Sequence, residues 1–304
     1  SMKPSAYIGR FAPSPTGPLH FGSLVCALAS FLDARHHQGK WLVRIEDSDP
    51  PREIPGATTT ILKQLESHGL LWDGDLLYQS QRSEAYNAAL AQLQNHGLIY
   101  SCDCNRQRIA SLGGIYDGRC RQRQVSSESA IRLRLPEDAN NAVIAFDDLI
   151  MGNCRQNLCS EVGDFVVKRR DRLFSYQLAV SVDDQFQNIS HIIRGADLLD
   201  STARQLYLQR CLGSSAEASA AIHYGHLPLA TNAEGQKLSK QNHAPALAPG
   251  EESTNLWLAL NWLQQAPPIE LRGEDKATIL SWAITNWSIA SIPRTAEIVA
   301  PDSA

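Results

Sequence analysis

No apolar stretch of this sequence reaches the length of about 20 residues that a membrane-spanning helix needs. The N-terminus also lacks a basic segment followed by an apolar core, so no secretory signal is expected. An excess of positive charge is missing too, because 28 Lys and Arg residues face 32 Asp and Glu residues and the net charge is −4. General affinity for nucleic acid depends on neutralising phosphates, so this balance argues against it. These absences predict a cytoplasmic protein without a membrane partner.

Seven cysteines are an odd number, and a chain without an export signal is expected to keep them as thiols or metal ligands. Cys102, Cys104 and Cys120 lie close together in the sequence, and thiolates at short separations suit a tetrahedral Zn²⁺ ion. No histidine lies nearby, so a fourth ligand has to come from another residue type. A cluster of buried thiols without metal is the alternative. The remaining cysteines are expected to be core or incidental thiols, namely Cys26, Cys154, Cys159 and Cys211.

What the sequence does contain is a globular composition, with 43% hydrophobic and 20% charged residues over 304 positions. This size allows one large domain with an insertion, or two domains. An apolar run over 7–11 predicts a strand, 21–36 predicts a helix with one apolar face, and 41–45 predicts a buried parallel strand. Ligands are expected beyond the carboxyl ends of such strands.

The pattern changes between residues 100 and 170, where short β-like runs are separated by turn residues, which indicates an insertion. We therefore expect a parallel α/β domain split into 1–99 and 171–230, an insertion over 100–170, and a lysine-containing loop with a helical region over 231–304. The further predicted helices are 57–68, 83–96, 175–182, 201–211, 252–263 and 275–288, and the further strands are 130–135, 142–146, 164–167, 191–194 and 222–229.

Two segments have the residues that nucleotide chemistry needs. The first reads RFAPSPTGPLHFGS over 10–23, and the second, far downstream, reads KLSKQ over 237–241. A strand, a Pro/Gly-rich turn and a helix start place backbone N–H groups and the positive end of a helix dipole where a phosphate can lie. A histidine beside the turn adds a donor, and two lysines on a loop could close over departing phosphates. Either segment alone is a weak signal, but the two together favour a nucleotide site.

This arrangement resembles the class I aminoacyl-tRNA synthetases, whose two signature motifs usually read HIGH and KMSKS. Here they read HFGS, ending at Ser23, and KLSKQ, ending at Gln241. Three longer segments resemble the glutamyl/glutaminyl branch of that class, namely RFAPSPTG over 10–17, RIEDSD over 44–49 and HIIRGADLL over 191–199. The resemblance implies an α/β fold with a Rossmann-type parallel sheet, a zinc-bearing insertion and a C-terminal helical region.

The resemblance also implies a ligase that activates L-glutamate with ATP and Mg²⁺. The catalytic residues it implies are His20, Lys237 and Lys240. The ATP-binding residues it implies are Pro13, Thr16, Gly17, His20, Gly22, Ser239 and Lys240. The L-glutamate-binding residues it implies are Arg10, Ala12, Ser14, Glu46, Tyr176 and Arg194. No carboxylate in the sequence can be assigned to Mg²⁺.

The assumed amino-acid pocket makes chemical sense, because glutamate has two carboxylates and one ammonium group. Arg10 and Arg194 supply guanidinium forks for the carboxylates, and Glu46 can hold the ammonium. Two structural alternatives stay open. Glu46 could simply pair with Arg44, and Tyr176 could be a core ring with a satisfied hydroxyl group.

The truncated members of the glutamyl branch resemble this chain in the cysteine region as well. That resemblance implies one structural Zn²⁺ per chain, held by Cys102, Cys104, Tyr116 and Cys120.

The residues after Gln241 are expected to be too few for an anticodon-reading domain. The combination resembles a truncated paralogue that places glutamate on queuosine, the modified wobble base of aspartate tRNA, so queuosine-containing tRNA(Asp) is the implied partner and the protein is expected to be a monomer. Basic clusters at 119–123 and 168–172 would contact the RNA backbone, and the alternative is that they are solvated loop charges. The alternatives are a compact conventional glutamyl-tRNA synthetase and a non-catalytic paralogue that binds an amino acid or RNA.

Overall fold

The structure, a computed structural model, describes residues 6–215, 217–218, 221–239 and 244–302. Its strands are β1 (Ile8–Phe11), β2 (Lys40–Ile45), β3 (Leu77–Tyr78), β4 (Ile99–Cys102), β5 (Ala130–Leu133), β6 (Val143–Asp148), β7 (Gly152–Asn157), β8 (Val166–Lys168), β9 (His191–Gly195), β10 (His223–Leu227), β11 (Leu229–Thr231) and β12 (Glu297–Val299). Its helices are α1 (Phe21–His36), α2 (Ala57–Ser67), α3 (Ser83–Asn95), α4 (Arg106–Ser111), α5 (Leu158–Glu161), α6 (Tyr176–Phe186), α7 (Thr202–Cys211), α8 (Glu252–Trp262) and α9 (Lys276–Asn286).

A parallel sheet forms from the first part of the chain. β1 pairs with β2, with Ile8 opposite Lys40, and β3 pairs with the other side of β2. The strand–helix–strand unit predicted from the sequence is confirmed, and α1 has the predicted bounds. The strand β3 was not predicted, because two residues are too few to show a periodicity.

A second parallel pair, β9 with β10, lies beside β1. The amide of Ser190, just before β9, donates to the carbonyl oxygen of Ile8 over 2.9 Å. The amide of Ile8 donates back to Oγ of Ser190 over 2.8 Å. The two halves of the parallel architecture, separated by some 180 residues of sequence, therefore meet at β1 and β9 and give the expected α/β fold.

The region between α3 and α6 is antiparallel. β5 lies between β4 and β8, and β6 forms a hairpin with β7. The strand β7 was missed because its sequence, GNCRQN, is polar and it lies half-buried. The predicted strand over 222–229 is divided in the structure, since Pro228 separates β10 from β11 and has no N–H group to donate.

Two large apolar clusters form most of the core of the described residues. One joins α1, β1 and β2 to the C-terminal helices α8 and α9, with Trp257, Trp262 and Trp287 buried. The other joins α3, α6 and α7 to strands of both the parallel and the antiparallel parts. The boundaries of the three predicted regions stay a prediction. Within the described part of the chain, no helix is both long and apolar enough to cross a membrane.

Candidate active site

The carboxyl ends of β1, β2 and β9 open onto one cavity of about 410 Å³. Most of the residues predicted to act on substrate line it, although the segments that supply them are far apart in sequence. Those residues are Arg10, Ala12, Pro13, Ser14, Thr16, Gly17, His20, Gly22, Glu46, Tyr176, Arg194, Lys237 and Ser239. The predicted residues Lys240 and Gln241 lie outside the residues that the structure describes.

The turn between β1 and α1 is shaped for an anion. His20 is the N-cap of α1, and its Nδ1 accepts a hydrogen bond from the amide of Gly22 over 3.0 Å. Because Nδ1 accepts, the proton of the neutral ring is on Nε2, where it can be donated to a ligand. Burial and the nearby Lys237 lower the pKa of His20, which favours that neutral form.

Gly22 is required by this arrangement. A Cβ atom at residue 22 would come within 2.9 Å of Cε1 of His20. Any larger residue would therefore push the histidine ring away from the helix start. This close packing explains why a glycine stands two residues after the histidine in the motif.

The lysine loop packs back on the same turn. After β11, the loop makes a tight turn in which Oδ1 of Asn232 accepts from the amide of Gln236, and the amide of Leu238 then donates to the carbonyl oxygen of Ala230. Further along, the amide of Leu247 donates to the carbonyl oxygen of Leu19. Lys237 Nζ lies 2.7 Å from Oδ2 of Asp197, at the cavity wall. The loop thus places the ammonium group of Lys237 at the cavity that the turn before α1 also lines.

Arg10 is part of a buried group of charges. Its Nε and Nη2 donate to the two carboxylate oxygens of Asp184 over 3.0 and 2.8 Å. Asp184 also accepts from Nη1 of Arg44 over 2.9 Å. Burial alone would raise the pKa of Asp184, but the contacts with Arg10 and Arg44 lower it to about 2. Two of the five N–H donors of Arg10 are used in this way, so the others can reach a ligand.

Glu46 follows β2 and reaches the same group. Its Oε2 lies 3.4 Å from Nη2 of Arg44 and accepts from Nε2 of Gln79 over 3.1 Å. Burial raises the pKa of Glu46 to about 7, even though Arg44 and Arg10 oppose that rise. The alternative pairing of Glu46 with Arg44 is present, but the distance of 3.4 Å makes it a weak contact. The carboxylate can therefore still accept from the ammonium group of a ligand.

Arg194 has a different environment. Its Nε donates to Nε2 of His226 over 3.0 Å, its Nη1 to Oε1 of Gln205 over 2.8 Å, and its Nη2 to Oγ1 of Thr202 over 2.9 Å. Nη2 also lies 3.3 Å from the carbonyl oxygen of Leu198. These partners are neutral acceptors, and one N–H group of Nη1 remains for the cavity.

The remaining predicted residues lie at the rim. Ser14 is exposed, and Tyr176 at the start of α6 is 38% exposed while lining the cavity, so it is not a fully enclosed core ring.

Sequence reasoning missed the residues that hold the arginines. Asp184 lies in the helical segment YQLAVSVDDQF, where an acidic residue that follows an apolar run was a weak signal, although nothing in the segment indicated Arg10 as its partner. His226, Gln205 and Thr202 gave no such signal, because they come from two elements that only the fold brings together. Cys26, predicted as a core or incidental thiol, is only half-buried and lines the cavity.

The cysteine cluster forms as predicted. The Sγ atoms of Cys102, Cys104 and Cys120 lie within 4.8 Å of one another. The hydroxyl oxygen of Tyr116 lies 3.3 Å from Sγ of Cys102 and 3.6 Å from Sγ of Cys104, and Sγ of Cys104 lies 3.6 Å from that of Cys120. A tetrahedral Zn²⁺ with Zn–S bonds of about 2.3 Å puts its sulfurs roughly 3.8 Å apart, so the four groups could hold such an ion.

Comparison with known proteins shows which family the chain belongs to. Residues 8–248 match the family model described as tRNA synthetases class I (E and Q), catalytic domain. A protein of Thiobacillus denitrificans named glutamyl-Q tRNA(Asp) synthetase is 50% identical over 308 residues, which cover 99% of each chain. A protein of Serratia proteamaculans with the same name is 49% identical over 294 residues, covering 96% of this chain and 94% of its own.

Solved structures show the same fold. The crystal structure of a glutamate tRNA ligase from Elizabethkingia meningosepticum, in complex with its amino acid, superimposes with a TM-score of 0.79 at 24% identity. The match covers 98% of this chain and 68% of that chain. With the fold, the cavity at the strand ends and the family match in agreement, the chain belongs to the class I tRNA synthetases of the glutamyl and glutaminyl (E and Q) type.

Proposed function

We propose that the protein activates L-glutamate with ATP and transfers it to queuosine at the wobble position of tRNA(Asp). The observation that carries this proposal is the identity of about half of all residues, over nearly the full length of both chains, with proteins named glutamyl-Q tRNA(Asp) synthetase. The cavity beside the α1 turn supports the activation step.

The reaction has two steps. A carboxylate oxygen of glutamate attacks the α-phosphorus of ATP, the bond to the β-phosphate breaks, and pyrophosphate leaves glutamyl-adenylate behind. A hydroxyl group of the acceptor then attacks the adenylate carbonyl and loses its proton, and AMP leaves as the ester forms. Positioning and preorganised positive charge supply most of the catalysis in such reactions.

The phosphate side of the cavity would use the N-terminal end of α1. The Nε2–H of His20 would donate to a phosphate oxygen, and the positive end of the α1 dipole would attract the phosphates. Lys237, and Lys240 beyond the described residues, would neutralise the departing pyrophosphate, with Ser239, Pro13, Thr16 and Gly17 beside the nucleotide. Mg²⁺ would accompany ATP.

The amino-acid side would use Arg10, Arg194 and Glu46. The two guanidinium groups approach the cavity from different strands, and Glu46 would accept from the ammonium group. Ala12, Ser14 and Tyr176 complete the wall. A neutral amide in place of the side-chain carboxylate would leave an N–H donor of an arginine unpaired, which disfavours glutamine by about a hundredfold.

A strip of four arginines supports an RNA path to this cavity. The strip consists of Arg119, Arg123, Arg170 and Arg169. Arg123 and Arg170 both contact Asp103, through its carboxylate over 3.1 Å and its carbonyl oxygen over 2.9 Å. The two basic clusters predicted from the sequence therefore adjoin each other at Asp103.

The same strip reaches the motif that follows β2. Arg169 lies 3.2 Å from Oδ2 of Asp49, three residues after Glu46. Phosphates of an anticodon stem-loop bound along the strip would bring a splayed base towards the cavity. Replacing Arg119 and Arg123 with alanine should weaken tRNA charging and its salt dependence, while amino-acid activation stays unchanged.

The cysteine cluster would hold one structural Zn²⁺ that fixes the loop next to this strip. The ion would tie β4 to the segment 116–120 through Cys102, Cys104, Tyr116 and Cys120. Metal analysis of protein purified without chelator should give one zinc per chain, and the Cys102→Ser/Cys104→Ser variant should lose it. Cys159→Ser, which removes a thiol outside the cluster, is the matched control. Absence of zinc from the unaltered protein would reject this part of the proposal.

The acceptor is tested with labelled glutamate and tRNA(Asp) from cells that can or cannot make queuosine. Label should enter only the queuosine-containing RNA and should survive oxidation or removal of the terminal adenosine. Equal labelling of both RNAs, or loss of label with the terminal adenosine, would instead indicate a conventional glutamyl-tRNA synthetase. Absence of pyrophosphate exchange with glutamate and ATP would favour a non-catalytic paralogue.

A further inference from the structure

We propose that His226 and Asp148 form a positioning pair that fixes the orientation of Arg194, so that the antiparallel hairpin β6–β7 takes part in selecting the amino acid. The proposal rests on the proposed function, because it concerns the substrate that Arg194 is to bind. Neither His226 nor Asp148 lines the cavity, and both side chains are fully buried. They therefore act through Arg194.

The orientation of Arg194 depends on one acceptor more than on the others. Gln205 and Thr202 bind the two terminal nitrogens of the fork, whereas only His226 binds Nε. A guanidinium group held at its ends can still tilt about its long axis. The bond from Nε removes that freedom and fixes the direction of the N–H group that remains for the cavity.

His226 can accept this bond in only one tautomer. Nε of Arg194 can only donate, so Nε2 of His226 has to accept, and Oγ1 of Thr202 lies 3.2 Å from the same nitrogen. The ring proton must therefore be on Nδ1, which lies 2.5 Å from Oδ2 of Asp148. With the proton on Nε2, two N–H groups would face each other and Arg194 would have to move.

Asp148 is itself fixed by the hairpin turn. Its Oδ1 accepts from the amides of Ile150 and Met151 over 3.0 and 2.8 Å, and from the amide of His226 over 3.0 Å. The turn ends at Gly152, which has a φ of 78°. A residue of the antiparallel region thus sets the tautomer of a histidine on β10, which sets the orientation of an arginine on β9.

This chain of contacts makes a specific kinetic expectation. If the pair orients Arg194, its loss should raise the KM for glutamate and leave the KM for ATP unchanged, since the nucleotide side of the cavity uses other residues. If the pair only supported the fold, its loss would instead raise the KM values for glutamate and ATP together, or lower the amount of folded protein.

The experiment compares four variants by pyrophosphate exchange and by calorimetric binding of glutamate. His226→Leu removes both bonds and should raise the glutamate KM and Kd by about tenfold to a hundredfold, with the ATP KM within about twofold. His226→Gln, whose amide oxygen can accept from Nε of Arg194, should recover most of the loss. Asp148→Asn should give an intermediate loss, because it frees the tautomer. His223→Leu, an exposed position on the same strand, should match the unaltered protein.

Parallel changes in both KM values, an unchanged glutamate KM in folded His226→Leu, or a Gln variant as poor as the Leu variant would overturn the pair. If His226→Leu does not fold, Asp148→Asn and His226→Gln give the same comparison. If the unaltered protein exchanges with a different amino acid, the proposed function fails, and the KM split for that amino acid still decides on the pair.

Discussion

Arg10 and Arg194 are buried to the same extent, at 4% exposed each, yet the protein holds them in opposite ways. Arg10 makes two bonds to the carboxylate of Asp184, inside a group that also contains Arg44 and Glu46. Arg194 contacts neutral acceptors, and within the described residues no carboxylate touches it.

This difference in partners separates two properties of an arginine, namely the number of its free N–H donors and the charge that its neighbours leave uncancelled. Arg10 has more free N–H donors, but its charge is largely cancelled by its neighbours. Arg194 has one free donor, and its charge is not cancelled by direct contact. In a buried site the uncancelled charge dominates attraction for an anion, because little solvent screens it. Arg194 should therefore contribute most to binding glutamate, and Arg10 most to holding the fold.

The largest expected effect is that of Arg194→Ala. We expect the kcat/KM for glutamate in pyrophosphate exchange to fall by several hundredfold, because the uncancelled charge of the amino-acid side is lost. Arg194→Lys should recover little, since a single ammonium group cannot reach Gln205, Thr202 and His226 at once.

The matched control for this measurement is Arg52→Ala, whose side chain is 79% exposed and does not line the cavity. An Arg194→Lys enzyme close to the unaltered one would contradict the importance of the fork. A smaller loss for Arg194→Ala than for Arg10→Ala would reverse the comparison.

A smaller effect on activity and a larger one on stability are expected for Arg10→Ala. The loss of glutamate affinity should be about tenfold to thirtyfold. Because Asp184 would lose its two-bond partner in the interior, the free energy of unfolding should fall by about 3 kcal/mol. For Arg194→Ala, which leaves neutral groups behind, the fall should be about 1 kcal/mol.

Urea unfolding of both variants at one protein concentration measures the two losses of stability. The comparison holds if the slope of the free energy of unfolding against urea concentration is the same for both variants. Equal losses of stability would mean that the charge of Asp184 is held by Arg44 alone.

How far the sequence predicts this site depends on which kind of contact is involved. The turn, the histidine and the glycine at the start of α1 lie within one short segment, so their motif predicted where the helix begins, although not that His20 accepts from the amide of Gly22. Arg10, Glu46 and Arg194 were predicted as residue types that glutamate needs, and they do line one cavity.

The supports of the arginines could not be predicted in the same way. Asp184 meets Arg10 across 174 positions, and Asp148 meets His226 across 78 positions. The first pair depends on how α6 packs beside β1. The second depends on how β10 lies beside the hairpin β6–β7, whose second strand is polar and gave no strand signal. Periodicity predicts faces of single elements, not which elements become neighbours.

The smallest expected effect concerns pH and the Arg10 side of the pocket. Burial raises the pKa of Glu46 to about 7, so its carboxyl group is ionised above that pH and becomes neutral as the pH falls through it. A neutral carboxyl group cannot pair with the ammonium of glutamate. The affinity for glutamate should therefore fall by about tenfold between pH 8 and pH 6. Burial lowers the pKa of His226, which favours the neutral ring that accepts from Arg194.

Calorimetric titration with glutamate at constant ionic strength, without ATP, measures this dependence. Glu46→Gln provides the control, since it should bind more weakly and with an affinity that does not change between pH 6 and pH 8. A flat profile for the unaltered protein would place the ammonium group away from Glu46. If the affinity of the Glu46→Gln variant still changed with pH, a group on the Arg194 side would be titrating instead. The difference between the two arginines would then depend on His226, the partner of Arg194, and not on Asp184, the partner of Arg10.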